Sequence, residues 1–364
     1  MFDDVVETGQ AGDRSDIGEL HVALLSWYAI HARVLPWRTA PSPYHVLVSE
    51  FMLQQTQVER VVPYYHAFLA QFPTVRSLAE TPVADVIRAW QGLGYNRRAI
   101  RLKEIAVQVM DEHEGVIPSD VPTLLRMRGI GTYTAAAIAC FAYGTDTATV
   151  DTNIRRVYRR LRHGVTAPAV GERAAQKQAD ELLPPGRAAD WNQALMDLGA
   201  TICTAHRPRC VACPVNHLCV AYASYRGTGE ANAAAYFARY EAGTRPAKVE
   251  RPFAGSSRYY RGRIVATLGA LPPGTFLPLR ALGHAIREEH GGYEAGWLDA
   301  LVDGLARDGL IEISAAKEGA MPEVSLPRTN AIDLPAAAVC GADTDTVARG
   351  PDVHQPELWH EHGG

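Results

Sequence analysis

Two glycines in the run Met127 to Arg160, MRGIGTYTAAAIACFAYGTDTATVDTNIRRVYRR, constrain this chain more than any other feature. Gly129 and Gly131 bracket Ile130 between two stretches, Val121 to Met127 and Tyr133 to Tyr143, that are apolar at helical spacing. Such a turn takes φ > 0 values and exposes successive backbone N–H groups at a helix start, so it binds a phosphate without needing a charged side chain. The pattern predicts a helix-hairpin-helix, a module that grips a DNA backbone independently of base sequence. About twenty residues on, Thr149-Val150-Asp151 opens another helix, and Asp151 is followed by Asn153, Arg155, Arg156, Arg159 and Arg160. The helix dipole and this cationic face both favour an ionised Asp151. Taken alone, the plainer account of Asp151 is an N-cap on a solvated helix.

The net charge of −4 is at odds with DNA binding until it is divided along the chain. Residues 1 to 20 hold six acids and one arginine, and residues 340 to 364 hold five acids and one arginine, which leaves 34 basic against 29 acidic residues between them. A mildly basic folded part with acidic solvated ends is expected, the ends being residues 1–14 and a disordered stretch 327–364. No apolar run approaches the length of a membrane span, and no basic region followed by an apolar core opens the chain. The expectation is a cytoplasmic monomer with no membrane contact.

Helices are predicted at 15–31, from Pro43 through the mostly apolar run His45 to Val58, and at about 58–71, 82–91, 97–113 and 120–127, with two more in 170–203. The fold class is all-α. On the first helix Leu20, Val22, Leu24, Leu25, Tyr28 and Ala29 supply the apolar face. On the second, Glu50 lies among Val46, Leu47, Phe51 and Leu53, surroundings in which a carboxylate is expensive and its pKa rises. Such a group either has a hidden partner or serves as a general acid near neutral pH. Gln54, Gln55, Thr56 and Gln57 follow as an uncharged polar cluster suited to pairing with bases. Gly92-Leu93-Gly94-Tyr95, before Arg97, Arg98 and Arg101, offers backbone access, a wedge and phosphate partners, although a helix C-cap explains Gly94 by itself.

Of six cysteines, four crowd into residues 203 to 219, and in a reducing compartment that argues for metal. Cys203, Cys210, Cys213 and Cys219 are separated by six, two and five residues. Zinc is one reading, although its usual signature is two separated Cys-x-x-Cys pairs and here there is one. Cys140 and Cys340 are expected to be plain thiols, and His206 a surface residue.

The order of LPWR, VSEFMLQQTQV, GLGY, the Gly-Ile-Gly hairpin, VDTN and the cysteine run resembles the MutY-type adenine glycosylases of the helix-hairpin-helix DNA glycosylase superfamily, over about Ser15 to Cys219. The resemblance implies a six-helix barrel with the hairpin over 40–141 and an iron-sulfur domain formed by 15–39 and 142–225. It implies a 4Fe-4S cluster on the four cysteines, with Arg207 and Arg209 presented to phosphates. Glu50 would protonate the purine, and Asp151 would face the cationic sugar. Trp37, Arg38, Leu53 and Gln193 would line the base pocket, and Asn153 would hold the sugar or water. Gln55, Leu93 and Tyr95 would fill or prop the gap left by a flipped base. Tyr133 stands where lyase-active relatives keep a lysine, and a phenol forms no Schiff base, so a monofunctional enzyme is implied. Its partner would be double-stranded DNA holding adenine mispaired with 8-oxoguanine or guanine.

Two departures bear on this. The family's Leu-Pro before the hairpin is Met127-Arg128, which adds a positive charge, and no Nudix-like β-domain follows the cysteines. Residues 226–256 are read instead as a linker with a basic run, Arg245, Lys248 and Arg251, and 257–326 as a winged-helix-like module whose Arg258, Arg261, Arg263, Tyr259 and Tyr260 would suit DNA. A thymine or uracil glycosylase acting opposite guanine is the alternative within the same fold, and a non-catalytic iron-sulfur DNA-binding protein the alternative outside it.

Overall fold

The computed structural model describes residues 14–166, 171–229, 232–241, 253–286, 296–314 and 322–328. The N-terminal acidic stretch to residue 13, the basic run at Arg245, Lys248 and Arg251, and everything from 329 on, Cys340 included, lie outside them. The helices are α1 (Arg14–His31), α2 (Pro36–Thr39), α3 (Pro43–Leu53), α4 (Val58–Gln71), α5 (Val75–Glu80), α6 (Val83–Trp90), α7 (Arg97–Glu112), α8 (Val121–Arg126), α9 (Thr132–Tyr143), α10 (Thr152–Tyr158), α11 (Glu172–Glu181), α12 (Ala188–Thr201), α13 (Val220–Gly227), α14 (Ala233–Glu241), α15 (Ser257–Gly269), α16 (Leu279–Ile286) and α17 (Trp297–Arg307).

The central helix is α3. Ser42 caps it by accepting from the His45 N–H at 3.1 Å, and Pro43 presets its first turn. Every residue from Val46 to Met52 is buried, so α3 is apolar all round and must be enclosed by other helices. It packs on α9, where the small residues Ala135, Ala136, Ala137, Ala139 and Cys140 permit close approach. Around this pair α4 to α8 contribute Phe68, Leu78, Trp90, Leu102, Ile105 and Leu124 to one core. A second core joins α1, α10, α11 and α12 through Leu24, Ile154, Ala179, Trp191 and Leu195. Val22 and Ala29, expected on the apolar face of α1, are exposed, because one side of that helix is enough to cover α12.

The predicted continuation of α3 to Val58 does not occur. The helix stops at Leu53, and Gln55 takes φ +56°. The cause lies 44 residues away: the buried guanidinium of Arg98, on α7, donates to the carbonyl oxygens of Phe51, Met52 and Gln54 at the end of α3. The same group reaches Thr56 Oγ1 at 3.1 Å and the Gly94 carbonyl at 3.1 Å. One cation therefore caps α3 and joins the turn 54–57 to the turn 92–95.

Residues 226–256 are not simply a linker. Within them α14 places Tyr236 and Phe237 in a small core with Val165 and Ala221, against Cys210 and Cys219. Further on, α15, α16 and α17 stand beside a three-stranded antiparallel sheet of β1 (Leu277–Pro278), β2 (Glu312–Ile313) and β3 (Glu323–Ser325), in the order β1-β3-β2. Helix, strand, helix, helix, strand, strand is the succession of a winged helix.

Arg98→Lys is expected to lower stability by about 2–3 kcal/mol in denaturant unfolding, since one ammonium cannot serve acceptors on two turns and leaves buried carbonyls unpaired. A loss under about 0.5 kcal/mol would show that the two turns hold together without it.

Candidate active site

Glu50 lies near the end of α3 and is 7% exposed. Burial pushes its carboxyl up to about 7, and the nearby Asp151 charge acts in the same direction. Tyr133, in the first turn of α9, donates a hydrogen bond to it and, with Arg38, opposes the shift. The Tyr133 phenol is itself raised well above its ordinary value by burial and by the charges of Glu50 and Asp151, so it remains a neutral donor. Asp151 caps α10: its Oδ1 accepts from the Ile154 N–H at 2.6 Å and its Oδ2 from Asn153 Nδ2 at 2.9 Å. Asn153 Oδ1 in turn accepts from Arg156 at 2.9 Å. Gly199 lets α12 approach here, since a Cβ on it would stand 2.8 Å from that of Asn153. Two carboxyls in one place thus differ in surroundings, one enclosed by apolar walls and one at a helix N-terminus with N–H donors.

Of the four residues expected to line the base pocket, Arg38 is near enough to act on Glu50 and binds both oxygens of the fully buried Asp197 at 2.9 Å. Gln193 Oε1 accepts from the Tyr28 hydroxyl at 2.6 Å. Leu53 is the half-buried last residue of α3, and Trp37 is buried in the barrel core, edge-on to Tyr65 at 5.3 Å.

Among the residues expected on DNA, Gln54, Gln55, Gln57, Gly94 and Tyr95 are exposed. Leu93 is not: at 4% exposure it belongs to the barrel core, because an apolar side chain next to Trp90 gains more from burial than from solvent. Thr56 turns inward to Arg98. In the hairpin only Gly129 has positive φ, +94°, where a Cβ would meet Arg101 Cγ at 2.7 Å, whereas Gly131 caps α9 at φ −93°. Gly129, Gly131 and Thr132 are exposed, while the N–H groups of Arg128 and Ile130 are taken by Gln108 and Met127.

Two of the arginines after Asp151 turn inward rather than adding to a cationic surface. Arg160 is 1% exposed and donates to Thr204 O at 2.8 Å, to Ala205 O at 2.9 Å and to Cys203 Sγ at 3.4 Å, while Arg156 reaches Cys203 O at 2.9 Å. They hold the cysteine loop. Cys203, Cys210, Cys213 and Cys219 line one small cavity with Arg160, Tyr222 and Phe237. Burial, then mutual repulsion, pushes the thiols of Cys210 and Cys213 up to about 12, so thiolates there require a positive group between them. Among the described residues no three His, Cys, Asp or Glu side chains are placed to hold a single metal ion. The four cysteines around this cavity are an all-sulfur donor set. Arg207 is exposed, and Arg209 leans back on Thr201 O.

Residues 48–185 match the model of the HhH-GPD superfamily of base excision DNA repair proteins. The adenine DNA glycosylase of Mycolicibacterium smegmatis is 41% identical over 296 residues, 81% of this chain and 93% of the relative. The chain belongs to the adenine DNA glycosylase family. The human adenine DNA glycosylase is also 41% identical, over 57% of this chain and 40% of its own length. The solved structure of a thermostable thymine-DNA glycosylase superposes with a TM-score of 0.55 at 30% identity, covering 58% of this chain and 98% of its own. A non-covalent endonuclease III–DNA complex shares the fold at 20% identity and a TM-score of 0.51.

Three residues that support this site, Asp197, Arg33 and Asn192, are not singled out by the sequence, and Tyr28 is read there only as part of an apolar face. Asp197 and Arg33 anchor Arg38, with Arg33 Nε at 2.7 Å from Asp197. Tyr28 holds Gln193, and buried Asn192 ties Thr147 O and the Thr149 N–H just ahead of Asp151. Asp197 carries a signal, being a carboxylate in the otherwise apolar run Ala194 to Ala200.

Because the Glu50 carboxyl is raised from 4.5 to about 7, the folded state binds its proton more tightly than the unfolded chain. The cost of ionising it is full above pH 7 and vanishes below the unfolded value. Glu50→Gln is therefore expected to stabilise the fold at pH 8 by up to about 3 kcal/mol, with the gain disappearing by about pH 4. Denaturant unfolding at the two pH values checks this, and an equal effect at both would place the carboxyl in water.

Proposed function

We propose that this chain is a monofunctional glycosylase that flips out adenine mispaired with 8-oxoguanine or guanine and hydrolyses its N-glycosidic bond, leaving an abasic site. The observation that carries the reading is the enclosed Glu50 carboxyl, bonded to a neutral Tyr133 and facing Asp151. A carboxyl raised to about 7 is a competent proton donor at neutral pH. Glu50 protonates a ring nitrogen of the purine, the bond to the sugar breaks with its electron pair on the base, and the Asp151 carboxylate balances the cationic sugar. As water adds to the sugar carbon, Glu50 takes back a proton. Tyr133 has no amine to capture the sugar, so no Schiff base forms at this position. Arg38 and Gln193, held by Asp197 and Tyr28, stand at the base pocket. Gln55 and Tyr95 are left as the side chains that enter the duplex, since Leu93 is buried. The hairpin at Gly129 and Gly131 takes the backbone phosphate.

The four cysteines are assigned to a 4Fe-4S cluster, which would close the segment 203–219 on itself by metal–sulfur bonds, with Arg156 of α10 holding that segment at the Cys203 carbonyl. Arg207 would then be presented to DNA.

A second reading, removal of thymine or uracil opposite guanine, rests on the 30% identity with a thymine-DNA glycosylase. Single-turnover base release from four duplexes, A opposite 8-oxoguanine, A opposite G, T opposite G and U opposite G, separates the two. Adenine release, fastest opposite 8-oxoguanine, is expected, and release of pyrimidine alone would replace the first reading with the second. Glu50→Gln should lose at least about a hundredfold in rate while still binding mispaired DNA. Tyr133→Lys is expected to yield a borohydride-trapped complex with DNA, and an empty trap would show that position 133 does not face the sugar.

A further inference from the structure

The C-terminal module, residues 257–326, has no part in the chemistry above, and among the described residues its third helix does not suit DNA. In a winged helix the third helix enters the groove. Here that helix, α17, exposes Asp299 and Asp303 beside Arg307. The basic and aromatic side chains that suggested DNA are largely engaged inside the module. Arg261 binds Asp308, Arg263 donates to Ala285 O at 3.2 Å, and Tyr260 stands edge-on to Trp297 at 4.8 Å.

What the module does touch is narrowly placed. Among the described hydrogen bonds, those joining it to the barrel all land on residues 88–97. Arg88 Nε donates to Gly269 O at 3.1 Å, Gln91 Nε2 to Val265 O at 3.2 Å, and Arg97 Nη1 to Asp308 Oδ1 at 3.2 Å. These residues flank the turn Gly92–Tyr95 on both sides. The other Asp308 oxygen takes Arg261 from α15, so one carboxylate links the module's first helix, the end of its third and the start of α7. The contact is shaped for this fit. A Cβ on Gly269 would stand 1.7 Å from Gln91 Nε2, and one on Gly304 would stand 2.6 Å from Arg261 Nη1. Within the turn, Tyr95 is held at φ +48°, a conformation that a non-glycine residue keeps only when its surroundings impose it.

We propose that the C-terminal module is a positioning clamp for the Gly92–Tyr95 turn, with Asp308 as its central positioning residue, and that it sharpens mispair recognition without touching the base. The proposal rests on the reading above that this turn enters the duplex. The clamp acts through backbone placement: Gln91 and Arg97 are fixed from one side and Arg98 from the other, so Tyr95 is presented in one orientation before DNA arrives.

The test uses the full chain, comparing wild type with Asp308→Ala, Asp308→Glu and Gly269→Ala. Two quantities are read: hydrogen exchange of the segment 91–97, and affinity for a duplex with A opposite 8-oxoguanine against the same duplex fully paired. Asp308→Ala and Gly269→Ala are expected to speed exchange in 91–97 several-fold while leaving the hairpin 127–133 unchanged. Mispair affinity should fall about tenfold with paired-duplex affinity moving less than about twofold, and Asp308→Glu should recover most of the loss. Exchange and affinity both unchanged would overturn the clamp. So would an equal loss on both duplexes, which would make the module a general DNA surface, or faster exchange throughout the barrel, which would make it a bulk brace. Should Asp308→Ala unfold the module, exchange across 257–286 reports it, and a turn that stays protected then also overturns the proposal. A wild type that releases no adenine would remove the functional reading, while the exchange measurement would still decide the clamp.

Discussion

The arrangement depends on a buried cation. Arg98 stands where the C-terminal end of α3, the turn 54–57 and the turn 92–95 meet, with its guanidinium between the Trp90 and Tyr95 rings at about 5.5 Å. Burial lowers it to about 10, which leaves it charged at neutral pH. That charge is balanced by carbonyl dipoles, and the end of a helix is where carbonyls lack partners and the dipole is negative. Capping α3 in this way fixes the register of the helix that carries Glu50. The acid and both turns are thereby tied to one residue, since moving Arg98 would shift all three together.

The acid itself follows from enclosure. Glu50 has no buried counter-ion of the kind Asp197 finds in Arg33 and Arg38, and the consequence is opposite: Asp197 is lowered by its arginines despite burial, while Glu50 is raised. The one is fixed as an anion that orients Arg38, the other is left close to titrating. Asp151 differs from both, taking its two donors from the helix start it caps. Capping and a place beside the sugar are compatible, because an N-cap carboxylate is exposed on the side away from its helix.

Much of this was legible in the chain because it is local. The Gly-Ile-Gly hairpin, the Asp151 cap and an acid in an apolar helix are readable from neighbours in sequence, and so is the crowding of four cysteines. What was not legible depends on partners far along the chain. Glutamines are good helix formers, so the sequence carries α3 on to Val58, and only Arg98 shows why it stops at Leu53. Arg156 and Arg160 look like a solvated face until the loop 203–205 folds onto them. Leu93 between two glycines looks like a wedge until Trp90 and the barrel core claim it. The segment of α14 reads as linker although Tyr236 and Phe237 are adjacent apolar residues. Their destination, the cysteine cavity, is set by tertiary contact.

The two exposed turns share a further property. Gln55 and Tyr95 are two of the three non-glycine residues with positive φ among the described residues, at +56° and +48°. Each such conformation costs on the order of 1 kcal/mol, which a solvated turn would shed by relaxing. Relaxation is opposed because the carbonyls leading into each are held: Gln54 and Gly94 by Arg98, Gly94 again by Trp90 Nε1 at 3.2 Å, and Gly92 by Arg60. The strain is met by the barrel during folding, so the side chains proposed to enter the duplex need not be ordered at the moment of binding. Binding energy saved there remains available to unstack and extrude a base, a step that costs a few kcal/mol.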